Sequence, residues 1–485
     1  MSGKRKVVIA GYGMAGARLA EEITARDPGG DRVGVTVVGA EPDHAYNRVL
    51  LSSVVAGTLG DDAVRLHSES WACLRGVDVR VATTVTGVDT ATRTVSLHGP
   101  RGQEELGYDT LVLAQGSAPW IPPADGLVTE DGSPAEGVLP FRTLADCQAI
   151  VARARAGTPV AVLGGGLLGL EAARGLAGRG CRVSVIHPCE YIMERQLDRG
   201  AAEVLAGTLA GYGIEFRLGT TAAGYVPGDG VKLNDGSWVP ADMVVVAAGV
   251  RPETALAERA GLRVDQGVVV DDWLRTSDPR IHAIGDCAQH PGTVAGLVQP
   301  AWEQATVLAE LLTGADSGAR YRGTAAVTRL KASGVDLAAF GDVTAEPGSA
   351  DAEVLCLTDP ARGRYAKLVL RDDRVAGAVL LGVPDAAATI AHHYIHRTPA
   401  PSDRLAFLLG RALPEEQVPA SSPATMPGST TVCSCNNVPK SRIVDAWRGG
   451  ARTVGELAET TRATTGCGSC TSAVRGIASW LESTA

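Results

Sequence analysis

The chain has 485 residues, of which 45% are hydrophobic, and its formal net charge at pH 7 is -9. This length exceeds one ordinary domain and indicates three or four domains with sizeable cores. The negative charge argues against a nucleic-acid surface, and no stretch approaches the ~20 apolar residues of a membrane helix. The chain opens with a few basic residues and then a strand pattern, without the apolar segment of a signal peptide, so we expect a soluble cytoplasmic protein.

The first recognisable unit combines a strand, a glycine loop, a helix and a second strand. An apolar strand over residues 6–10 leads into the loop GYGMAG at residues 11–16. A helical pattern over residues 15–26 and a strand over residues 33–38 follow. This order of elements is typical of the dinucleotide-binding half of a Rossmann fold.

Three glycines and one acid of this unit are candidate ligand contacts. Gly11 permits the tight turn, Gly13 lets the backbone approach a pyrophosphate, and Gly16 lets the helix pack on the strand. Glu41 lies just past the second strand, where its carboxylate can accept hydrogen bonds from a ribose. A glycine-rich turn without a ligand is the alternative, but the order of all the parts favours a dinucleotide site.

The same pattern recurs from residue 159. The strand VAVL is followed by the loop GGGLLG, a helix over residues 170–179 and a strand over residues 182–186. Gly164, Gly166 and Gly169 take the same three roles as the glycines of the first loop. Two such units predict two Rossmann-like domains.

The end of the second strand of this repeat does not decide between NADH and NADPH. His187 stands where an NAD-type site usually has an acid. An NADP-type site usually has an arginine close by, and the nearest one here is Arg195. Both nicotinamide cofactors therefore stay open at this point.

Together these parts resemble the two-dinucleotide, ferredoxin-reductase-like flavoprotein family over about the first 320 residues. The resemblance implies that the first loop binds FAD and that the inserted second unit binds NAD(P)H. It also implies a possible catalytic acid near the nicotinamide, Glu171, although the chemistry would be that of the flavin. The further FAD contacts that it implies are Arg48 in YNRVLLS, the pair Gly285 and Asp286 in AIGD, and Arg142 in FRTL.

The chain departs from the disulfide-active members of that family. Those relatives carry a redox cysteine shortly after the first unit, where this chain has Leu51-Ser52-Ser53. Cys73 lies too far along the chain to replace it. We therefore predict that the flavin passes its electrons to something other than a local disulfide.

Two short segments narrow the resemblance. MERQLD at residues 193–198 and LKASGVD at residues 330–336 are similar to segments of the large subunit of NAD(P)H-dependent assimilatory nitrite reductase. The electron-transfer subunit of assimilatory nitrate reductase shares them. The sirohaem domains of nitrite reductases and a molybdopterin domain are expected to be absent from these 485 residues. The expected partner is thus a separate terminal reductase subunit, a molybdenum nitrate reductase or else a sirohaem nitrite reductase.

Four of the ten cysteines are concentrated near the C-terminus as a C-x-C and a C-x-x-C pair with 31 residues between them: Cys433, Cys435, Cys467 and Cys470. Clustered cysteines in a reducing compartment are better read as metal ligands than as disulfides. The spacing resembles the domain of bacterioferritin-associated ferredoxin, which implies a [2Fe-2S] cluster. Helices are predicted over residues 440–448, 454–460 and from about residue 470. Tetrahedral zinc is the alternative for four cysteines.

Other polar and aromatic residues carry weaker signals. His392, His393 and His396 have helical spacing, but no acidic or cysteine partner lies nearby, so a solvated helix is favoured over a metal site. The sequence does not decide whether the Trp302 side chain lies beside the isoalloxazine or packs in the core. The six scattered cysteines are expected to be small buried residues: Cys73, Cys147, Cys181, Cys189, Cys287 and Cys356.

The predicted fold class is α/β, with two Rossmann-like domains, the second inserted in the first, a small α+β domain and a small helical [2Fe-2S] domain. The predicted boundaries are 1–118 with 247–318 for FAD, 119–246 for NAD(P)H, 319–413 for the α+β domain, 414–431 for a linker and 432–485 for the cluster domain.

The predicted function is an NAD(P)H-dependent oxidoreductase that passes electrons from FAD through a [2Fe-2S] cluster to its partner. A stand-alone reductase of a ferredoxin or rubredoxin is one alternative. A bacterioferritin-docking or redox-sensing module without catalysis is another, which the intact cofactor motifs disfavour.

Overall fold

A computed structural model describes residues 4–68, 70–411, 423–424, 426–428, 430–433, 436, 438–465 and 470–484. Two compact units divide the chain. Unit 1 comprises Met1–Arg48, Gly60–Pro119 and Val250–Thr324, and unit 2 comprises Val49–Leu59, Trp120–Gly249 and Ala325–Ala485. The chain thus leaves unit 1 after Pro119 and returns to it at Val250. The finer domain boundaries given above remain predictions.

The helices of the described residues are α1 (Met14–Arg26), α2 (Leu51–Ala56), α3 (Trp71–Arg75), α4 (Leu144–Arg153), α5 (Leu167–Gly178), α6 (Arg199–Ala210), α7 (Ala255–Arg259), α8 (Val298–Thr313), α9 (Pro384–His396), α10 (Arg404–Leu408), α11 (Lys440–Arg448), α12 (Val454–Thr461) and α13 (Thr471–Ser483). None of these helices combines the length and apolar composition that would let it cross a membrane.

The strands of the described residues are β1 (Arg5–Ala10), β2 (Val33–Val38), β3 (Asp78–Arg80), β4 (Thr84–Asp89), β5 (Thr94–Gly99), β6 (Gly102–Gly107), β7 (Thr110–Leu113), β8 (Ser117–Pro119), β9 (Val138–Pro140), β10 (Pro159–Leu163), β11 (Arg182–His187), β12 (Ile214–Leu218), β13 (Ala222–Val226), β14 (Gly230–Leu233), β15 (Trp238–Val239), β16 (Met243–Val246), β17 (Val250–Pro252), β18 (Val268–Val269), β19 (Ile281–Ala283), β20 (Ala288–Gln289), β21 (Thr328–Ala332), β22 (Val335–Gly341), β23 (Glu353–Asp359), β24 (Arg364–Arg371), β25 (Arg374–Leu381), β26 (Thr431–Cys433) and β27 (Val438–Pro439).

Unit 1 is built on a parallel sheet in the order β19-β7-β1-β2-β3. In the central strands, residues 7–10 of β1 and all of β7 are buried, as expected when both faces of a parallel sheet are covered, and only the first two residues of β1 are exposed. Helices α1 and α8 pack together. A separate antiparallel sheet, β4-β5-β6, belongs to the same unit.

The inserted part of unit 2 repeats this architecture, with a parallel sheet in the order β12-β11-β10-β16-β9. A small antiparallel sheet, β13-β14-β15, accompanies it. Helix α5 begins at Leu167, three residues before the predicted start at residue 170. The extended backbone of Gly166 already serves as its N-cap, so the helix takes up the last residues of the loop.

The part of unit 2 from β21 to α10, here called the third region, has an antiparallel sheet in the order β21-β22-β25-β24-β23. Apolar side chains of α9, including Ile390, pack with sheet residues such as Phe340 and Leu368 in one core. This arrangement agrees with the predicted small α+β domain.

The cysteine-rich region consists of the hairpin β26-β27 and the helices α11, α12 and α13. Their apolar faces share one small core that includes Ile443, Leu457 and Ile477. The predicted helices therefore agree with the structure to within a residue or so. Most of the predicted linker, residues 414–422, 425 and 429, lies outside the described residues.

A buried ion pair joins α6 to strand β24 in the antiparallel sheet of the third region. The Lys367 side chain is 1% exposed, and its Nζ donates to Asp198 Oδ2 at 2.7 Å and to the Val343 carbonyl at 3.0 Å. The Tyr365 hydroxyl donates to the same carboxylate oxygen at 2.7 Å, and Asp198 also caps α6 through the Ala201 N–H. The last residue of MERQLD is therefore an anchor for the third region.

We expect Asp198→Ala to lower the free energy of unfolding by about 3–5 kcal/mol, because it leaves the buried Lys367 ammonium with only the distant, exposed carboxylate of Glu346, at 3.8 Å, as a counter-charge. Urea unfolding followed by circular dichroism measures the change. The double variant with Lys367→Met should recover most of the loss, since it removes the buried charge as well. Equal stability of the Asp198→Ala variant and the unaltered protein would contradict the assignment.

The same pair sets a pH dependence. Burial alone raises the pKa of Asp198, but the hydrogen bonds from Lys367, Ala201 and Tyr365 outweigh burial, so the pKa lies below the ordinary value of 3.8. A carboxyl whose pKa is lower in the folded state stabilises the fold above its unfolded pKa. We expect this contribution to disappear as the pH falls below 3.8 through the folded pKa.

Candidate functional site

The first glycine loop has two glycines that its own fold requires and one that the fold does not explain. A Cβ on Gly11, whose φ is +121°, would lie 2.2 Å from the Ala114 carbonyl oxygen, and one on Gly16 would lie 2.0 Å from the Gly11 carbonyl oxygen. At Gly13 the nearest atom is Arg48 Nε, 3.8 Å away. The missing side chain at Gly13 therefore leaves space that a bound group can use.

The start of α1 is suited to an anion. Gly13 is its N-cap, no side chain caps it, and its first turn has no acidic residue. By contrast, α4 is closed by a capping box of Thr143 and Asp146. Free N–H groups and the helix dipole at such an uncapped terminus favour a phosphate. The loop therefore fits the pyrophosphate of FAD.

Two predicted FAD contacts meet beside this loop. Arg48 forms an ion pair with Glu41. The Tyr46 hydroxyl donates to the second oxygen of Glu41 at 2.6 Å, and the Arg48 guanidinium lies 4.9 Å from the centre of the Tyr46 ring. Glu41 and Arg48 thus form one polar group, with Arg48 next to Gly13, and a contact of either residue with FAD remains a prediction.

The Gly285-Asp286 pair is held against the start of α1. Gly285 has a φ of +76°, and a Cβ there would lie 3.0 Å from the Ala15 Cβ. Its N–H donates to Gln304 Oε1 at 2.8 Å, and the Ser117 hydroxyl donates to Asp286 Oδ2 at 3.0 Å. These contacts hold Gly285 beside the start of α1 and fix the carboxylate of the adjacent Asp286, whose role toward FAD remains a prediction.

Sequence reasoning missed Gln304 and Ser117. Gln304 is 2% exposed and lies on the buried face of α8 with Ala301, Ala305 and Leu308. A glutamine within an apolar stripe was the available signal, because a buried amide needs a specific partner. Ser117 offered no comparable signal.

The second glycine loop repeats the geometry of the first. A Cβ on Gly164, whose φ is +119°, would lie 2.3 Å from the Ala247 carbonyl oxygen, and one on Gly169 would lie 1.9 Å from the Gly164 carbonyl oxygen. Nothing lies within 4 Å of a Cβ built on Gly166. Helix α5 begins without a side-chain cap or a first-turn acid. This loop fits the pyrophosphate of NAD(P)H for the same reasons.

Glu171 is buried and bound to the third region. It is 1% exposed, and its Oε1 accepts from the Lys331 N–H at 2.9 Å. The Lys331 Nζ lies 3.7 Å from the same oxygen and donates to the Val49 carbonyl at 2.8 Å. Lys331, in LKASGVD, is therefore a partner that sequence reasoning did not assign. A contact of Glu171 with nicotinamide remains a prediction.

His187, at the end of β11, has both ring nitrogens engaged. Its Nδ1 faces the Gly165 N–H at 3.1 Å, and its Nε2 lies 3.0 Å from Glu194 Oε2. Because a backbone N–H can only donate, Nδ1 is the acceptor, and neutral His187 carries its proton on Nε2. Nε2–H then donates to Glu194, an acid that the sequence analysis did not single out.

Cys189 completes a trio with His187 and Glu194 whose ligand atoms lie within 4.8 Å of one another. The donor chemistry does not favour a metal. The only lone pair of neutral His187 already accepts from Gly165. Burial, with the charge of Glu194, raises the pKa of Cys189 and so disfavours the thiolate form.

The structure also shows where the residues of three weaker predictions lie. The Arg142 N–H donates to Asp146 at the start of α4 in unit 2, and a flavin contact remains a prediction. Trp302 lies on α8, and its ring centre is 5.6 Å from the guanidinium of Arg18 on α1, which does not decide between the two positions predicted for it. The histidine group, His392, His393 and His396, lies on α9, two of its rings being 4.3 Å apart.

The cluster domain holds two of the four predicted thiolate ligands within the described residues. Cys433 ends β26 and Cys470 caps α13, and both are buried, at 0% and 5% exposure. The Thr464 N–H donates to Cys470 Sγ at 3.2 Å, which is the kind of bond that stabilises a thiolate ligand. Cys435 and Cys467 lie outside the described residues.

An asparagine connects the segments that carry the two cysteine pairs. Asn436 Nδ2 donates to the Arg462 carbonyl at 2.7 Å and to the Thr465 hydroxyl at 3.1 Å. Both Arg462 and Thr464 have a positive φ, a conformation that side chains rarely adopt and that curls this loop toward Cys470. Buried sulfurs, an N–H···S bond and this connection fit a four-thiolate cluster.

The eight described cysteines form no disulfide. Cys287 is fully buried, and burial raises the pKa of its thiol to about 11, so it is not a nucleophile near neutral pH. Cys73 and Cys356 are exposed, so the expectation that the six scattered cysteines are all buried is wrong for these two.

Three family models match the chain. Residues 5–305 match the model described as pyridine nucleotide-disulphide oxidoreductase. Residues 327–393 match the rubredoxin NAD+ reductase C-terminal domain, and residues 431–479 match the BFD-like [2Fe-2S] binding domain.

Curated relatives and a solved structure agree with these matches. The chain is 36% identical over 471 residues to the assimilatory nitrate reductase electron transfer subunit of Bacillus subtilis (strain 168), covering 96% of this chain and 58% of the relative. It is 36% identical over 472 residues to the nitrite reductase [NAD(P)H] of the same organism, covering 96% and 56%. The chain therefore spans little more than half the length of these relatives. The covalent putidaredoxin reductase–putidaredoxin complex matches with a TM-score of 0.74 at 25% identity, covering 83% of this chain and 96% of that chain.

Proposed function

The chain belongs to the pyridine nucleotide-disulphide oxidoreductase family and carries a BFD-like [2Fe-2S] binding domain, and from this premise we propose an electron-transfer function for it. It takes a hydride from NAD(P)H and delivers the electrons one at a time to a separate terminal reductase of nitrate or nitrite assimilation. The observation that carries the proposal is that two uncapped glycine-loop helices and a cluster domain occur in one chain.

The family models confirm several expectations from the sequence. The fold class and the oxidoreductase family are as predicted, and so are the three cofactors, FAD, NAD(P)H and a [2Fe-2S] cluster. The site residues and the finer domain boundaries remain proposals supported by the geometry described above.

The residues of the chain would act mainly by binding and orientation. The loop at Gly166 and the start of α5 would hold the nicotinamide cofactor by its pyrophosphate. The loop at Gly13 with Asp286 would hold FAD, and the Thr464 N–H would stabilise the Cys470 thiolate. When bound, FAD accepts a hydride and releases single electrons, which a [2Fe-2S] cluster can carry.

The proposed terminal partner is a molybdenum nitrate reductase or, as the next choice, a sirohaem nitrite reductase. Equal identities of 36% to an electron transfer subunit of nitrate reductase and to a nitrite reductase support this range. A second candidate acceptor is a rubredoxin or ferredoxin, favoured by the match of residues 327–393 to a rubredoxin reductase domain.

Reconstitution distinguishes these acceptors. The purified protein is mixed under anaerobic conditions with NAD(P)H and, separately, with a molybdenum nitrate reductase, a sirohaem nitrite reductase, a rubredoxin and a ferredoxin. We expect nitrate or nitrite consumption that depends on this protein, and little reduction of the small carriers. Rapid reduction of rubredoxin or ferredoxin with no turnover of either nitrogen enzyme would contradict the assignment.

A further inference from the structure

We propose that Glu194 recognises the adenosine ribose of the nicotinamide cofactor, that His187 holds it in place, and that this pair makes the protein prefer NADH over NADPH. The inference rests on the proposed function, because it concerns the donor site of the same reaction. It answers the question that the sequence left open at the end of β11.

The position of the pair follows from the fold of unit 2. In a Rossmann unit the adenosine ribose lies beside the end of the second strand, close to the glycine loop. His187 ends that strand, and its Nδ1 accepts from the Gly165 N–H at 3.1 Å. His187 is therefore attached directly to the loop that would hold the pyrophosphate.

A second bond ties the segment before Glu194 to the same residue of the loop. The Met193 N–H donates to the Gly165 carbonyl at 3.0 Å, so both backbone polar groups of Gly165 contact this region. Ile192 and Met193 are buried, at 0% and 1% exposure, and their packing holds the segment that carries Glu194. Glu194 itself is 30% exposed, which leaves its carboxylate accessible to a ligand.

His187 cannot itself take the role of the ribose-binding acid. Its Nδ1 lone pair is used by Gly165, and its Nε2–H points to Glu194 Oε2 at 3.0 Å. Glu194 Oε1 has no hydrogen-bond partner among the described residues. A carboxylate oxygen with a free lone pair at this place can accept from a ribose hydroxyl. Glu194 would therefore supply the ribose-binding carboxylate that the residue at the end of the strand, here His187, usually supplies.

Charge gives the preference. A carboxylate beside the 2′ position attracts a hydroxyl but repels the 2′-phosphate of NADPH. Arg195 follows directly and is exposed, so a phosphate-binding role for it is the opposing outcome.

The test compares Glu194→Gln with Glu190→Gln in the full chain loaded with its cofactors. Glutamine keeps the size of Glu194 and can still accept from His187 through its amide oxygen, but it removes the charge. Glu190 is an exposed acid of the same segment, paired with Arg199 instead, and serves as the matched control. Binding of 5′-ADP and 2′,5′-ADP is measured by calorimetry, and NADH and NADPH are compared in stopped-flow reduction.

We expect the unaltered protein to prefer NADH and to bind 5′-ADP more tightly than 2′,5′-ADP. Glu194→Gln should improve 2′,5′-ADP binding by about 10-fold to 100-fold and weaken 5′-ADP binding only slightly, with a matching shift in KM rather than kcat. Glu190→Gln should change neither.

Two results would overturn this inference but leave the proposed function standing. One is a preference of the unaltered protein for NADPH, and the other is equal 2′,5′-ADP affinity of the Glu194→Gln and Glu190→Gln variants. If neither ADP binds and neither nucleotide reduces the protein, the proposed function itself fails.

Discussion

Replacing Gly166 by aspartate is expected to abolish reduction of the protein by NAD(P)H while FAD stays bound. No atom lies within 4 Å of a Cβ at Gly166, so the side chain meets free space and the fold should tolerate it. The carboxylate would stand at the uncapped start of α5, where the pyrophosphate is expected, and would oppose it by volume and by charge. We expect the apparent rate of flavin reduction in stopped-flow experiments to fall by about 100-fold or more at fixed NADH.

Three other glycine variants make this result specific. Gly166→Ala should cost far less than Gly166→Asp, because it adds volume without charge. Gly13→Asp should lose FAD instead, since it places the carboxylate at the other uncapped helix. Gly164→Ala should destabilise the fold, because its Cβ would lie 2.3 Å from the Ala247 carbonyl oxygen. Unchanged hydride-transfer kinetics of Gly166→Asp would show that the nucleotide domains are wrongly assigned.

Cys470→Ser is expected to remove the cluster and to interrupt one-electron transfer, while NAD(P)H still reduces the flavin. Cys470 is 5% exposed and accepts from the Thr464 N–H, so a ligand is lost from a site that the fold has built around it. We expect iron and acid-labile sulfide to disappear from the purified protein. Because the electrons must pass through the cluster, delivery to the terminal reductase should fall by about 100-fold or more.

Cys433→Ser should behave in the same way, because Cys433 is the buried cysteine at the end of β26. The control is Cys356→Ser, which replaces an exposed cysteine on β23, far in sequence from the cluster domain. This variant should keep iron, flavin and activity. Zinc in place of iron in anaerobically prepared, unaltered protein would refute the cluster assignment. So would full electron delivery by the Cys470→Ser variant.

Local patterns were enough to predict the architecture. The apolar strands, the glycine loops and the helices after them lie within 30 or so residues of one another, and each follows from steric rules of the backbone. The loop at residues 11–16 shows this well, because a side chain at Gly11 or Gly16 would collide with a carbonyl oxygen. Helix ends were less predictable: α5 begins at Leu167, since the extended Gly166 already caps it.

The partners of the site residues were not predictable in the same way. Gln304 contacts Gly285, and Lys331 contacts Glu171 across 160 positions of sequence. Such pairs depend on how elements pack, and a single sequence does not contain that distance information. The pair of His187 and Glu194 is close in sequence, yet its meaning depends on which nitrogen of the histidine faces the Gly165 N–H.

The proposal that carries all others is that NAD(P)H, FAD and the cluster form one electron path within this chain. An anaerobic titration of the purified protein with NADH, followed by absorption and by EPR, tests it most directly. We predict bleaching of the flavin band together with the EPR signal of a reduced [2Fe-2S] cluster, in a protein with two irons per chain. A flavin that is reduced while the cluster stays oxidised, although dithionite reduces that cluster, would contradict the account.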